Sequence, residues 1–284
     1  MSNMIEIRNL TKHYGKHRGV EDISFSVQEG DIFAFLGPNG AGKSTTIRAM
    51  LGMIGFQHGS IRIMGKDAVQ EKKAILREVG YMPSEAMFYS EMQVKEVIRL
   101  AADMRGLDCR KEAGELCEQL QVDTKKRIRE LSLGNRKKVS IICALQHKPG
   151  LLVLDEPTSG LDPLMQEVFF KLLQEANNRG TTCFLSSHVL SEVKKYCRNA
   201  AIIKNGRVLK VDTVENLSHT GLRLVKVWKE GREESFSHTG SMQALLQKLA
   251  ALEPEDVLIE EPSLEELFIR YYEDCSEPGK SIFS

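Results

Sequence analysis

The stretch "DIFAFLGPNGAGKSTTIRAM", residues 31–50, limits the possible folds more than any other part of the chain. "IFAFL" is a short unbroken apolar run that stops at glycine, the pattern of a strand buried on both faces of a sheet. Residues 37–44, "GPNGAGKS", satisfy G-x-x-x-x-G-K-[ST], and Ile47, Met50, Leu51 and Ile54 then recur at helical spacing. Strand, glycine loop and helix in that order gather backbone N–H groups and the positive end of a helix around one point. Glycines keep Cβ atoms away, so the oxygens of an anion can reach those N–H groups. The expected cradle is Gly37, Pro38, Asn39, Gly40, Ala41, Gly42, Lys43, Ser44 and Thr45. Lys43 would bring a compact charge to β- and γ-phosphates, and the Ser44 hydroxyl would ligate Mg²⁺.

Two other apolar strands end in polar residues. "LLVLDEP" finishes with Asp155 and Glu156. In a parallel sheet the carboxyl end of a strand is the ligand edge, so Asp155 can hold Mg²⁺ and Glu156 can orient and deprotonate a water. "TTCFLSSH" ends at His188, just before a helical pattern at Val189, Leu190 and Val193. His188 would contact the γ-phosphate or hold the geometry of Glu156 and its water.

The rest of the chain surrounds this centre. Alternation at Ile5 and Ile7, and at Ile23, Phe25 and Val27, predicts half-buried antiparallel strands. Residues 84–146 read as a helical insertion, with Val94, Val97, Ile98 and Ala101 at helical spacing. Met165, Val168, Phe169, Leu172 and Leu173 predict the buried side of a further helix. Asn205-Gly206 between apolar runs predicts a tight hairpin. After Asp212 a small α+β unit is expected: strands at "LRLVKVW", "EESFS" and "DVLIEE", a helix on Met242, Leu245, Leu246 and Leu249, and another on Leu264, Leu267, Phe268 and Tyr271. The expected division is residues 1–211 and 212–284.

Composition excludes several classes. Basic and acidic residues balance, 39 against 39, which argues against a strong electrostatic footprint for nucleic acid. Six cysteines without a C-x-x-C pair exclude the usual zinc and redox motifs and fit reduced thiols. The N-terminal segment has no apolar leader pattern, and no apolar run approaches the roughly 20 residues that span a bilayer. If the protein works at a membrane, another chain is expected to supply the span.

The motifs together resemble the nucleotide-binding subunits of ATP-binding cassette (ABC) transporters, nearly to Val211 and in the order found in that family. "GPNGAGKST" resembles the Walker A loop, "LLVLDEP" the Walker B strand, "SGLD" (residues 159–162, with Asp162) the D-loop and "SSH" the switch histidine. Tyr14 stands where the family has an aromatic stacked on adenine. "LSLGN" resembles the signature L-S-G-G-Q, with Leu133 replacing glycine and Asn135 replacing glutamine. The resemblance implies a P-loop NTPase (RecA-like) α/β core with an antiparallel β-subdomain and a helical insertion. It implies ATP and Mg²⁺ as ligands, and a head-to-tail dimer with a second nucleotide-binding subunit. In that dimer Ser132, Gly134 and Asn135 would cover the partner's γ-phosphate. It also implies a transmembrane permease partner and a peripheral position on the cytoplasmic face of the membrane. Where the family has glutamine or glutamate after Tyr-x-Pro, this chain has Ser84 followed by Glu85; either a water bridges from Ser84 or Glu85 takes the metal-sensing role. "PSLEELFIRYYE" resembles the ending of subunits serving ABC-2 type exporters. The rival is a soluble non-transport cassette, for example in iron–sulfur assembly or regulation. Arg136, Lys137 and Lys138, after the signature, read as solvated helix surface.

Overall fold

The computed structural model describes residues 2–15, 17–218, 222–229 and 231–260. The chain divides into two compact units, Met1–Val211 and Asp212–Ser284. The first opens with β1 (Asn3–Tyr14), β2 (His17–Gln28), β3 (Ile32–Leu36) and helix α1 (Lys43–Met50). Next come β4 (His58–Ile63), β5 (Lys66–Asp67), α2 (Lys72–Glu78) and β6 (Val79–Met82). Helices α3 (Val94–Asp103), α4 (Arg110–Gln119) and α5 (Leu133–Leu145) form the insertion, with a 3-10 turn at Ile128–Glu130 ahead of α5. β7 (Leu151–Asp155), α6 (Pro163–Asn178), β8 (Thr182–Ser187), α7 (Leu190–Tyr196), β9 (Asn199–Lys204) and β10 (Arg207–Thr213) complete it.

The antiparallel sheet has the order β2-β1-β4-β5. Ile5 faces Val27 and Ile63, and Ile7 faces Phe25 and Ile61, so the period of two puts one apolar face together. The larger sheet has the order β10-β9-β3-β8-β7-β6, with β9, β3, β8, β7 and β6 parallel. Every residue of β3, β7 and β8 is buried, as the unbroken apolar runs require of central strands. Phe25 joins the two sheets: its ring stacks within 5.7 Å of Phe33 and 5.9 Å of Phe184.

Helix α1 is shorter than its apolar stripe. Ile47 and Met50 are buried within it, Leu51 caps it, and Ile54 packs on the core from beyond its end. The β9–β10 hairpin turns at Asn205 and Gly206, both at positive φ. Gly206 also anchors two distant segments: it donates to Ala41 O at 2.9 Å and accepts from Glu21 N at 2.7 Å. A Cβ there would stand 2.6 Å from Gly19 O, so only glycine fits this close approach.

The second unit holds α8 (Val214–Ser218), β11 (Leu222–Lys229), β12 (Arg232–Thr239), α9 (Met242–Leu252) and β13 (Asp256–Glu260), with sheet order β12-β11-β13. Val225 and Val227 pack with Leu245 and Leu249 of α9. Met242 and Leu246, expected on the buried stripe, are exposed, because one i, i+4 pair suffices to cover so small a sheet. The helix expected at residues 264–271 lies outside the described residues. Among the described residues no helix is long and apolar enough to cross a membrane.

Candidate nucleotide and catalytic site

Strand register brings the three polar strand ends together. Leu36 pairs with Ser187 and Asp155 pairs with Ser186, so the glycine loop, the Asp155-Glu156 pair and His188 emerge at one sheet edge. Gly42 forms the N-terminal boundary of α1 at φ 110, where a Cβ would meet Val20 Cγ1 at 2.6 Å. A pocket of about 320 Å³ is lined by Tyr14, by the loop residues Pro38, Asn39, Gly40, Gly42, Lys43, Ser44 and Thr45, and by Ser84 and Glu156. Tyr14 is 45% exposed at the end of β1, with its ring against Gly19 and Lys12 Nζ 5.1 Å from its centroid.

Lys43 is 5% exposed and makes three contacts. Its Nζ donates to Gly37 O at 2.5 Å and to Pro38 O at 3.2 Å, and it lies 2.9 Å from Glu156 Oε1. The contact with Glu156 is an ion pair without hydrogen-bond alignment. The other oxygen of Glu156, Oε2, is 2.7 Å from His188 Nδ1. The carboxylate is therefore held between a lysine and a histidine.

Behind it, Ser186 links two strands: its hydroxyl donates to Asp155 Oδ1 at 2.7 Å and accepts from Glu156 N at 3.0 Å. Glu192 accepts from Thr158 Oγ1 at 3.1 Å, and burial pushes its carboxyl above the usual range despite the hydroxyls of Thr158 and Ser187. Neither Ser186 nor Glu192 was singled out in the sequence, where a serine in an apolar strand and an acid in a helix carry no signal of their own.

The residues fit a magnesium ion. Asp155 is buried, and its Oδ2 has no hydrogen-bond partner among the described residues. A buried carboxylate oxygen without a donor is costly unless a cation serves it. Ser44 lines the adjoining pocket, and Mg²⁺ commonly takes only one or two protein ligands, the rest coming from phosphates and water. Glu85, the other metal candidate, is exposed and is not part of the pocket wall; Ser84 is.

The signature residues stand elsewhere. Ser132 is the N-cap of α5, its Oγ accepting from Asn135 N at 3.3 Å. Asp162 is the N-cap of α6, accepting from Met165 N at 3.0 Å. Ser132, Gly134, Asn135 and Asp162 do not line their own chain's pocket. Leu133 is 62% exposed and lies over Gly160.

One expectation fails outright. Lys137, read as solvated surface, is 2% exposed, and its Nζ donates to Ser84 O at 2.7 Å. It lies one and two turns before Ile141, Ala144 and Leu145 on the buried side of α5, a spacing that could have revealed it.

The arrangement is that of a P-loop NTPase, and known proteins narrow the class. The family model for ABC transporters matches residues 20–159. The bacitracin transport ATP-binding protein BcrA of Bacillus licheniformis is 34% identical, over 95% of this chain and 97% of its own length. The linearmycin resistance ATP-binding protein LnrL of Bacillus subtilis (strain 168) is 32% identical, over 82% of this chain and 77% of its own. A solved ATP-binding subunit of an ABC transporter aligns with a TM-score of 0.71 at 31% identity, covering 75% of this chain and 91% of that one. The chain belongs to the ABC transporter family, among its ATP-binding subunits. It is an ATP-hydrolysing cassette and the motor component of such a transporter. A cassette with a non-transport task is not favoured.

Proposed function

We propose that the chain drives a bacterial exporter by hydrolysing MgATP in the pocket between Tyr14, the glycine loop and Glu156. The observation that carries this reading is the Glu156 carboxylate, held by Lys43 and His188 beside the loop. Adenine stacks on Tyr14, and the loop N–H groups with Lys43 bind the phosphates. Ser44 and Asp155 would hold Mg²⁺, which when bound would offset the negative charge of the phosphates. Glu156 takes a proton from water as the water oxygen bonds to the γ-phosphorus and the bond to the β–γ bridging oxygen breaks. A positioned base of this kind contributes roughly 10²–10⁴-fold. His188 orients the base by holding Oε2.

The second half of the site comes from another copy or a similar subunit, paired head to tail. Its Ser132, Gly134 N–H and Asn135, at the start of α5, cover the γ-phosphate, with Asp162 nearby. Support comes from the exposure of Ser132, and none of this set lines the pocket of its own chain. A transmembrane permease carries the cargo, and the motor sits peripherally on the cytoplasmic face. The balanced charge, 39 against 39, fits a partner other than nucleic acid. Residues 1–211 form the ATP-binding domain, and residues 212–284 are an accessory domain. Similarity to BcrA over 95% of the chain supports an antibiotic as cargo.

Lys43→Ala is expected to abolish ATP binding or turnover; normal ATPase activity would refute the pocket assignment. Glu156→Gln should accumulate an ATP-bound dimer in size-exclusion chromatography with MgATP, and a strictly monomeric variant would count against the paired site. Expression with its permease should raise bacitracin tolerance in a sensitive host; unchanged tolerance would remove bacitracin as cargo.

A further inference from the structure

We propose that Lys137 is a positioning residue for ATP hydrolysis: its ammonium braces the wall of the nucleotide pocket from the signature helix of the same chain. The inference rests on the reading of that pocket as the ATP site. Lys137 lies on α5, five residues after the Ser132 cap, and is almost wholly buried. Its ammonium donates to the Ser84 carbonyl at 2.7 Å. Ser84 follows β6 and shares the pocket wall with Lys43 and Glu156. One hydrogen bond thus joins the helix that begins at Ser132 to a residue that lines the pocket.

The charges around Lys137 point the same way. Asp155, Glu156 and Glu85 act on the ammonium and favour its charged form, while burial disfavours it, and burial is the larger effect. A buried ammonium is costly, and an apolar side chain would fill the same space on a stripe shared with Ile141 and Ala144 at less cost. A lysine here is therefore useful where its donor and its charge are used. The donor fixes the Ser84 backbone, and the charge adds to that of Lys43 in the field around the base. Any turn of α5 about its axis would pull on Ser84 through this bond, so the position of the signature is transmitted to the pocket of its own chain.

The test is steady-state ATPase kinetics of the full chain with MgATP, alongside affinity for a fluorescent ATP analogue. Lys137→Met keeps the length and apolar stem but loses donor and charge. Its kcat is expected to fall at least about tenfold, with KM and analogue affinity changed by less than about twofold. Lys137→Arg, which keeps both properties, should retain more turnover than Lys137→Met. A folded Lys137→Met with kcat within about twofold of the parent overturns the proposal, as does a loss confined to affinity. Should Lys137→Met lose its cooperative thermal transition, Lys137→Arg and Lys137→Gln carry the test. More turnover in the arginine than in the glutamine variant supports the proposal, and no difference overturns it. Lys43→Ala in the same assay separates the two readings. An inactive Lys43→Ala beside a normal Lys137→Met overturns this inference alone, whereas an active Lys43→Ala overturns the ATP site beneath it.

Discussion

Glu156 has φ 49, a left-handed backbone that costs a residue with a Cβ about 1–2 kcal/mol. The conformation is held by the Ser186 hydroxyl on Glu156 N, and it turns the side chain from the end of β7 toward Lys43 and His188. Glycine would relieve this strain, so Glu156→Gly should be more stable than Glu156→Ala by about 1 kcal/mol, measured by denaturant unfolding, with both inactive. The reverse order would show that the turn is unstrained. A second residue ties stability to pH. Burial, with help from Arg105, pushes the His147 imidazole down to about 4 from an ordinary 6.5. Between those values the unfolded chain binds the extra proton, so stability should fall as pH drops from 6.5 toward 4. His147→Gln should flatten that part of a melting-temperature profile. At this scale the sequence marked residues whose type and position were both distinctive, Lys43, Glu156 and His188, and the fold brings these three into contact. It hid Lys137, because a lysine is ordinarily read by its charge rather than by its place on a helical stripe.

Helix starts in this fold bear double duty. Ser132 caps α5 and also lies in the signature, so Ser132→Ala should lose about 1 kcal/mol of stability together with turnover. Ser132→Asp separates the roles: aspartate caps as well as serine but presents a negative charge to an incoming phosphate. Its unfolding midpoint should return to the parent value while ATPase activity stays low. Recovery of activity would mean that Ser132 acts only as a cap. Long or unbroken patterns were legible: β3, β7 and β8 as continuous apolar runs, α6 by its stripe, and the β9–β10 hairpin by Asn205-Gly206. β5 and β6, with two and four residues, were not, since so few positions give no period to read. Their places are set by neighbouring strands, which is tertiary information.

The residues of the proposed ATP site all lie in the first of the two compact units. A chain ending after Thr213, which keeps all of β10, should therefore bind an ATP analogue with nearly the affinity of the whole chain; lost binding in a folded truncation would make the second unit part of the site. The Walker motifs made this division readable, because they end before residue 212 and the pattern then changes from parallel α/β to a short antiparallel sheet. How the antiparallel sheet meets the glycine loop was not readable. That join depends on Gly206, which bonds Ala41 on one side and Glu21 on the other. Its consequence is metrical. β2 is tied to the loop through one residue with no room for a side chain, and β1, paired with β2, carries Tyr14. The separation between the aromatic end and the lysine end of the pocket is thus a ruler cut by the fold before any ligand arrives. A nucleotide is measured against it.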